Sequence, residues 1–490
     1  MTTFSFTTEP AASVKAGVLI LPVFQGGEVG PGVKDVGLDR AFRDAALTGK
    51  KGDSLLIPKR NGDRFAADAV LLQGVGPKDE FDLVAMRQAL GRAAQSVGRF
   101  GHAATTLAQS VKGDAGDAAE AAAEGLGLGA YRFDRYRSSN ETKGLSKVTV
   151  IGRGDGKKKT GADGVRRAGI LVDAVAWARD LVNTPAGDLP PAQLAREAQR
   201  MAKANGLTCT VWGEADLKKR GFGGLLGVGQ GSVNPPRLVQ LTYTGAGDAR
   251  PIALTGKGVA FDSGGLSIKD AKGMESMKID MGGAATMLAT MKAIARLKPR
   301  VNVIAAIPSA ENMPSGSAVK PGDVIRHYGG TTSEVLNTDA EGRLILADAL
   351  ALLARKKPTC IVDAATLTGA CMVALGTDIG GVLGNDDDLI GELVSAGRAA
   401  GEPIWQLPLH HGYRKLIDSN VADIKNVGPD RWGGAITAAL FLAEFVGDVP
   451  WAHLDIAGPT FTEKGHDLGP KGATGFPVRA LVRFVLGRAV

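Results

Sequence analysis

Apolar runs of strand length alternate with apolar residues at helical spacing along most of the chain. In the first third, AGVLILPVF (16–24), AVLLQGVG (69–76) and SKVTVIG (146–152) predict strands. LVAMRQALGRAAQSVGRFG (83–101) and the alanine-rich GDAGDAAEAAAEGLGLGAYRF (113–133) predict helices. A polar stretch over 153–163 predicts a boundary. Beyond it, GVRRAGILVDAVAWARDLVN (164–183) has the pattern of a long amphipathic helix, stopped by Thr184 and Pro185 and placed to act as a rigid connector. DLPPAQLAREAQRMAKANG (188–206) predicts a helix with proline at its start. Strands at 237–244, 251–258, 301–310, 360–367 and 449–457 then alternate with helices at 284–297, 344–356, 434–447 and 477–488.

This alternation predicts an α/β protein with a largely parallel or mixed sheet and helices on both faces. The expected layout is a smaller N-terminal α/β domain over 1–163, a connecting helix and linker over 164–187, and a larger C-terminal α/β domain over 188–490 with a mixed central sheet. Chemistry in such a sheet is expected on loops at the carboxyl ends of the strands. No internal repeat with a period of about 20–50 residues is present.

Composition changes little in this picture. A chain of 490 residues calls for two or three domains, and 44% hydrophobic with 22% charged residues is ordinary globular usage. The 68 glycines are about twice the usual share and are scattered, as strand–turn–helix junctions require. A formal charge of +7 is mild. Its densest run, Lys157, Lys158 and Lys159 within GDGKKKTG, reads as a solvated loop rather than a nucleic-acid surface. Cys209, Cys360 and Cys371 have no CxxC spacing and give no disulfide framework, which fits a reducing compartment. MTTFSFTTEPAASVKAG lacks the basic start and apolar centre of a signal peptide, and no run of about 18 apolar residues suggests a membrane span. A cytoplasmic protein is expected.

The candidate chemistry lies on three acidic loops. VAFDSGGLSIKD, after the strand PIALTGKG, supplies Lys257, Asp262 and Lys269; MKIDMGG, ahead of a helix, supplies Asp280. NTDAEGRLILADAL supplies Asp339, Glu341 and Arg343 at alternate positions, as an extended loop would aim them into one cleft, with Gly342 relieving the crowding. Singly, an aspartate before a helix is ordinarily a cap or a dipole partner. Together, all three loops fall at strand–helix junctions. Converging carboxylates need counter-charge, because two like charges 4 Å apart at an effective dielectric of 20 repel by roughly 4 kcal/mol. One lysine compensates part of that, and two divalent cations compensate all of it. HExxH is absent and no pair of the six histidines has ligand spacing, so oxygen ligands dominate, suiting Mn²⁺, Mg²⁺ or carboxylate-bound Zn²⁺.

GKGVAFDSGGLSIK, MKIDMGGAA and above all NTDAEGRL resemble the signature segments of the leucyl aminopeptidase family, also called cytosol aminopeptidases. AYRFDRYRS (130–138), DLVNTPAGDLPP (180–191), DAATLTGA (363–370) and WAHLDIAG (451–458) add to a resemblance spanning most of 130–490. It implies a metal-dependent aminopeptidase with two divalent ions per subunit, Mn²⁺ or Zn²⁺. Asp262 and Glu341 would bridge both ions, Lys257 and Asp280 would complete one site and Asp339 the other. Lys269 would polarise the scissile carbonyl, and Arg343 would hold a bicarbonate serving as general base. Met277, Thr366, Leu367 and Gly369 would line the pocket for the N-terminal side chain, with Asp280 meeting the free α-amine. Implied partners are peptides with a free N-terminus and further copies of the chain in a homohexamer.

These roles agree with elementary chemistry. Lysine ligates a metal only as the free amine, and bringing its pKa from about 10.4 to about 7 costs roughly 4–5 kcal/mol, which an adjacent dication offsets. The plainer reading of Lys257 is an ammonium ion paired with Asp262. Arg343 cannot act as a base, but its planar fork suits an anion; the plainer reading is a pair with Glu341 or a neighbouring acid. Two other functions fit some of the same features. A dinuclear phosphoesterase would use similar oxygen ligands, and a basic N-terminal region could bind nucleic acid.

Overall fold

A computed structural model describes residues 2–38, 47–139, 144–153 and 158–489. The chain forms two compact units, one of residues 1–176 with 463–471, the other of 177–462 with 472–490.

In the first unit, Val18–Phe24 and Ala69–Gly76 are buried along their whole length at the centre of a seven-stranded sheet. The order is Thr3–Thr7, Lys147–Ile151, His102–Thr105, Val18–Phe24, Ala69–Gly76, Ser54–Pro58, parallel except for the last pair, with Glu28–Val29 set antiparallel beside Val18–Phe24. Side chains alternate between faces at period two. Val18, Ile20 and Leu71 pack with Met86, Leu90, Ala119 and Leu126 of the helices Leu83–Val97 and Ala115–Gly129. Leu19, Leu21 and Leu72 pack in a second layer with Val33, Val36 and Phe65. Between the two helices, Arg87 and Glu124 form a fully buried ion pair at 2.5 Å.

The helix expected as a connector is longer than its amphipathic pattern predicts. The helix runs Lys158–Asn183, so Lys158 and Lys159 are exposed in its first turn instead of lying in a loop, and Lys157 lies outside the described residues. Gly161 and Gly164 weaken the local propensity, yet neither could carry a side chain. A Cβ would come within 2.2 Å of the Phe6 ring at Gly161 and 2.0 Å of the Gly116 carbonyl at Gly164. Close packing overrides propensity there.

The second unit is built on a nine-stranded mixed sheet. Its parallel centre runs Trp451–Asp455, Cys360–Ala365, Ile252–Gly256, Asn302–Asn312, with Gly258–Asp262 also parallel to the last. Gly380–Gly384 and Arg237–Thr244 close the two sides antiparallel, and Thr208–Trp212 and Ile404–Gln406 form the edges. The helix Gly342–Ala354 is apolar nearly all round and buries Leu344, Ile345, Leu346, Leu350 and Leu353 against the sheet. Its one internal acid, Asp348, takes the amides of Leu225 and Tyr328, both at 2.8 Å. Cys209, Cys360 and Cys371 are free thiols. Among the described residues, no helix is long and apolar enough to cross a membrane.

Replacing Glu124 by Gln should remove a buried carboxylate charge from beside the Arg87 guanidinium and cost about 3–5 kcal/mol. The expected result is a clear drop in melting temperature, largely recovered by the double change Arg87→Met with Glu124→Leu.

Candidate metal centre

Lys257 stands between two strands, its main chain pinned on both sides. Its N–H donates to the Ala364 carbonyl at 3.0 Å and its carbonyl accepts from Ala284 at 2.8 Å. The side chain is buried and reaches Asp280 Oδ1 and Glu341 Oε1, each at 2.8 Å, and donates to the Thr366 carbonyl at 2.9 Å. Its pairing is therefore with Asp280 and Glu341, not with Asp262. Asp262 ends the strand Gly258–Asp262 and takes Lys269 Nζ at 2.9 Å; the same ammonium lies 2.5 Å from Asp339 Oδ1. Asp280 lies in the turn Met277–Met281 just before the helix Gly282–Leu297, and Glu341 caps the helix Gly342–Ala354. Arg343 thus belongs to the first turn of a helix, not to an extended loop. Glu341 already has helical φ and ψ, because the apolar run that follows nucleates the helix earlier than a loop reading expects.

Oxygens of Asp262, Asp280 and Glu341 lie within 4.8 Å of one another, all three residues buried. Burial pushes the Asp280 and Glu341 carboxyls well above the usual carboxylate range; Asp262 adds to this and Lys257 opposes it. Burial also raises Asp339. For Lys257 and Lys269, burial works to lower the pKa, but the surrounding carboxylates outweigh it and hold both above an ordinary lysine. Four carboxylates against two ammonium groups leave negative charge in excess. Among the described residues, no hydrogen-bond donor reaches Asp280 Oδ2 or Glu341 Oε2, both buried. An oxygen-rich, under-compensated, desolvated set of this kind fits hard or borderline divalent cations.

Arg343 is buried with Nη1 donating to the Asn426 carbonyl at 2.6 Å. Among the described residues, no carboxylate pairs with it and its Nε finds no acceptor. Burial lowers its pKa to about 10, with Glu341 and Asp455 resisting. Of the expected pocket residues, Thr366, Leu367 and Gly369 follow the strand Cys360–Ala365. Thr366 donates to Asp280 Oδ1 at 2.7 Å, Leu367 follows it partly buried, and Gly369 opens a short helix with nothing within 4 Å of where a Cβ would stand. Met277 begins the turn that carries Asp280 and is half-buried.

Several supporting residues are not among those the sequence singled out. Asn312 Nδ2 donates to Asp262 Oδ1 at 2.8 Å and to the Thr338 carbonyl at 2.9 Å. Thr338 ties its turn to the loop after Asp262, donating to the Gly264 carbonyl at 2.6 Å and accepting from the Ser267 amide at 2.8 Å. Asp455 accepts from the Thr368 hydroxyl at 2.6 Å and from the amides of Leu367 and Thr368. Asp455 lies within WAHLDIAG, one of the quoted segments, while Asn312 is marked only by ending a buried strand.

A second constellation has the order of a hydrolytic triad. Ser333 Oγ lies 2.7 Å from His327 Nε2, and His327 Nδ1 is 3.3 Å from Asp348. All three are fully buried, and Asp348 is already bonded to two backbone amides. It staples a helix to a strand and has no access for a substrate.

Residues 176–482 match the catalytic-domain model of the cytosol aminopeptidase family, and residues 20–140 match that family's N-terminal-domain model. The chain belongs to the cytosol aminopeptidase family. It is 43% identical to a probable cytosol aminopeptidase of Streptomyces coelicolor, over 99% of this chain and 98% of that one. Identity to a probable cytosol aminopeptidase of Roseiflexus castenholzii is 45%, over 91% and 92%. Among solved structures, the bottromycin maturation enzyme BotP superposes with a TM-score of 0.86 at 38% identity, covering 96% of this chain and 99% of that one. A further structure of BotP, in complex with Mn, gives 0.87. The protein is thus an aminopeptidase, a hydrolase of a metal-dependent exopeptidase family, and its substrates are peptides. Neither a phosphoesterase nor a nucleic-acid-binding reading finds support in these matches.

Within the aminopeptidase, Gly342 has a specific steric reason. A Cβ there would meet Cε, Cδ and Nζ of Lys257 at 2.5–2.7 Å. Gly342→Ala should favour the helix by up to about 1 kcal/mol yet push the ammonium from between Asp280 and Glu341. The expected result is a loss of peptidase activity of about 100-fold with little change in melting temperature. Gly391→Ala, in a helix with nothing within 4 Å, should leave activity intact.

Proposed function

We propose that this aminopeptidase uses two divalent ions per chain, held by Lys257, Asp262, Asp280, Asp339 and Glu341, to release N-terminal residues with a preference for leucine and other apolar side chains. The observation that carries this reading is the convergence of Asp262, Asp280 and Glu341 within 4.8 Å in a buried pocket with excess negative charge. Manganese in a structure of the BotP relative favours Mn²⁺, with Zn²⁺ as the other candidate. When bound, such ions supply Lewis-acid chemistry, making hydroxide available near neutral pH and drawing charge from a carbonyl.

The chain's own residues then divide the work. Lys269, less deeply buried than Lys257, donates its ammonium protons to the scissile carbonyl oxygen and steadies the charge that grows there. Asp280 accepts the substrate's α-amine, which restricts productive binding to peptides with a free N-terminus. Met277, Thr366, Leu367 and Gly369 form the wall for the N-terminal side chain; the open space at Gly369 leaves room for a branched apolar group. Arg343, with a buried guanidinium face that no carboxylate neutralises among the described residues, seats bicarbonate as proton acceptor. This division of labour assigns peptide chemistry to residues 188–490, with 1–163 joined to them through 164–187. A cytoplasmic homohexamer is the assembly proposed.

Elemental analysis of the purified wild type should find about two ions per chain, with activity lost on chelation and restored on refilling. Asp262→Ala should lose both metal and activity. Lys269→Ala should retain metal while turnover falls by about 100-fold or more; full activity in the metal-stripped protein would overturn the reading.

Replacing Gly369 by Leu should raise KM for leucine anilides, with metal content unchanged. An unaltered KM would remove Gly369 from the pocket.

A further inference from the structure

Asn426 follows the two-residue strand Ile424–Lys425, far along the chain from every proposed ligand, and is fully buried. Its Oδ1 accepts the amides of Leu336 at 2.8 Å and Asn337 at 3.3 Å. Its Nδ2 donates to the carbonyls of Asn337 at 2.6 Å and Ala340 at 3.4 Å. The main chain is engaged as well. The N–H donates to the Glu334 carbonyl at 2.9 Å, and the carbonyl accepts Arg343 Nη1 at 2.6 Å. The stretch 336–340 is therefore folded around one amide group. Asp339 lies inside that stretch, Glu341 follows it directly, and Arg343 is held by the same residue's backbone.

Only a primary amide meets this demand. The pocket presents two N–H donors and two carbonyl acceptors. A carboxylate would repel the carbonyls, an ammonium would leave the N–H groups unmet, and an apolar isostere would strand all four. A turn bearing two acids beside two more is also one that mutual repulsion works to open.

We propose that Asn426 is a positioning residue that sets the turn bearing Asp339 and Glu341 and the Arg343 guanidinium in one fixed relation, so that metal affinity and turnover both depend on this buried amide. The inference rests on the metal reading given above. It also predicts a behaviour that ordinary structural stabilisation does not share. Asn302 is the matched control: it clamps a loop at the opposite end of the strand Asn302–Asn312 with four comparable bonds, to Gly245, Ala246, Gly247 and Ala249.

The test titrates Mn²⁺ into chelator-treated, full-length protein by calorimetry. Melting temperature of the metal-free form and kcat and KM on a leucine anilide are measured alongside. Asn426→Ala should weaken Mn²⁺ binding by about 10–100-fold and lower kcat, with KM moved by less than about threefold. Asn302→Ala should lower the metal-free melting temperature while leaving the Mn²⁺ affinity at the wild-type value. If Asn426→Ala does not fold, Asn426→Ser carries the same comparison, with a weakening in the same direction. A folded Asn426 variant with wild-type Mn²⁺ affinity, beside an Asp262→Ala protein that binds none, overturns this inference and leaves the metal reading standing. A wild type that takes up neither Mn²⁺ nor Zn²⁺ overturns both.

Discussion

Carboxylates about 4 Å apart repel by roughly 4 kcal/mol at an effective dielectric near 20, and the larger unit brings Asp262, Asp280 and Glu341 together at such range, out of water. Much of the surrounding structure can be understood as what keeps that arrangement from flying apart. Lys257 lies between Asp280 and Glu341, and Lys269 between Asp262 and Asp339. Glu341 directly precedes one helix and Asp280 stands two residues before the start of another, where the unpaired amides of the first turn and the helix dipole favour negative charge by about 0.3–1 kcal/mol. The Gly264 amide and the Asn312 side chain both bond Asp262 Oδ1. These contributions do not offset burial and mutual repulsion, which is why the carboxyls are raised and why a dication pair fits.

Bringing the elements this close leaves no room for side chains between them. A Cβ on Gly283 would fall 2.1 Å from the Ala364 carbonyl, and one on Gly256 would fall 2.2 Å from the Gly283 carbonyl. The helix Gly282–Leu297 therefore rests backbone to backbone on the two central strands, and its first turn arrives at Lys257. Gly342 plays the equivalent part for the next helix, where the space is filled by the lysine stem itself. Gly256, Gly283 and Gly342, within GKGVAFDSGG, MGG and AEGR, are thus part of the electrostatic design, because each removes a spacer that would separate charges.

The physical reach of the sequence pattern explains what was legible in it. The strands 18–24 and 69–76 are visible as apolar runs, because their burial on both faces writes itself into the residues. Short edge strands such as Thr3–Thr7, Thr208–Trp212 and Ile404–Gln406 leave no such mark, since their stability comes from a neighbour supplied elsewhere in the chain. The helix start at Lys158 is hidden for a related reason: two glycines argue against it locally, and Phe6 and Gly116 demand them. At the site, the charged residues announce themselves through their position at strand–helix junctions. Their pairing does not, because which lysine meets which acid is settled only by how the helices dock.

The uncharged members of the site were the least legible, and their neutrality has a reason. A lysine or arginine in place of Asn312 would bond Asp262 more strongly, but it would also neutralise permanently a carboxylate whose charge is needed for a cation. An amide supplies the same N–H geometry and leaves the charge free. The same reasoning extends to the turn of residues 336–340: its carbonyls and amides are satisfied by neutral partners, Thr338 toward one loop and Asn426 toward the other. Ion pairs are confined to the lysines, and both of these lie between two acids so that neither acid is wholly claimed. Rigidity is thus supplied by groups that do not alter the charge balance. Asparagine is well suited to this, because its single planar group presents an acceptor and a donor to one residue's main chain, as Asn426 does to the N–H and carbonyl of Asn337.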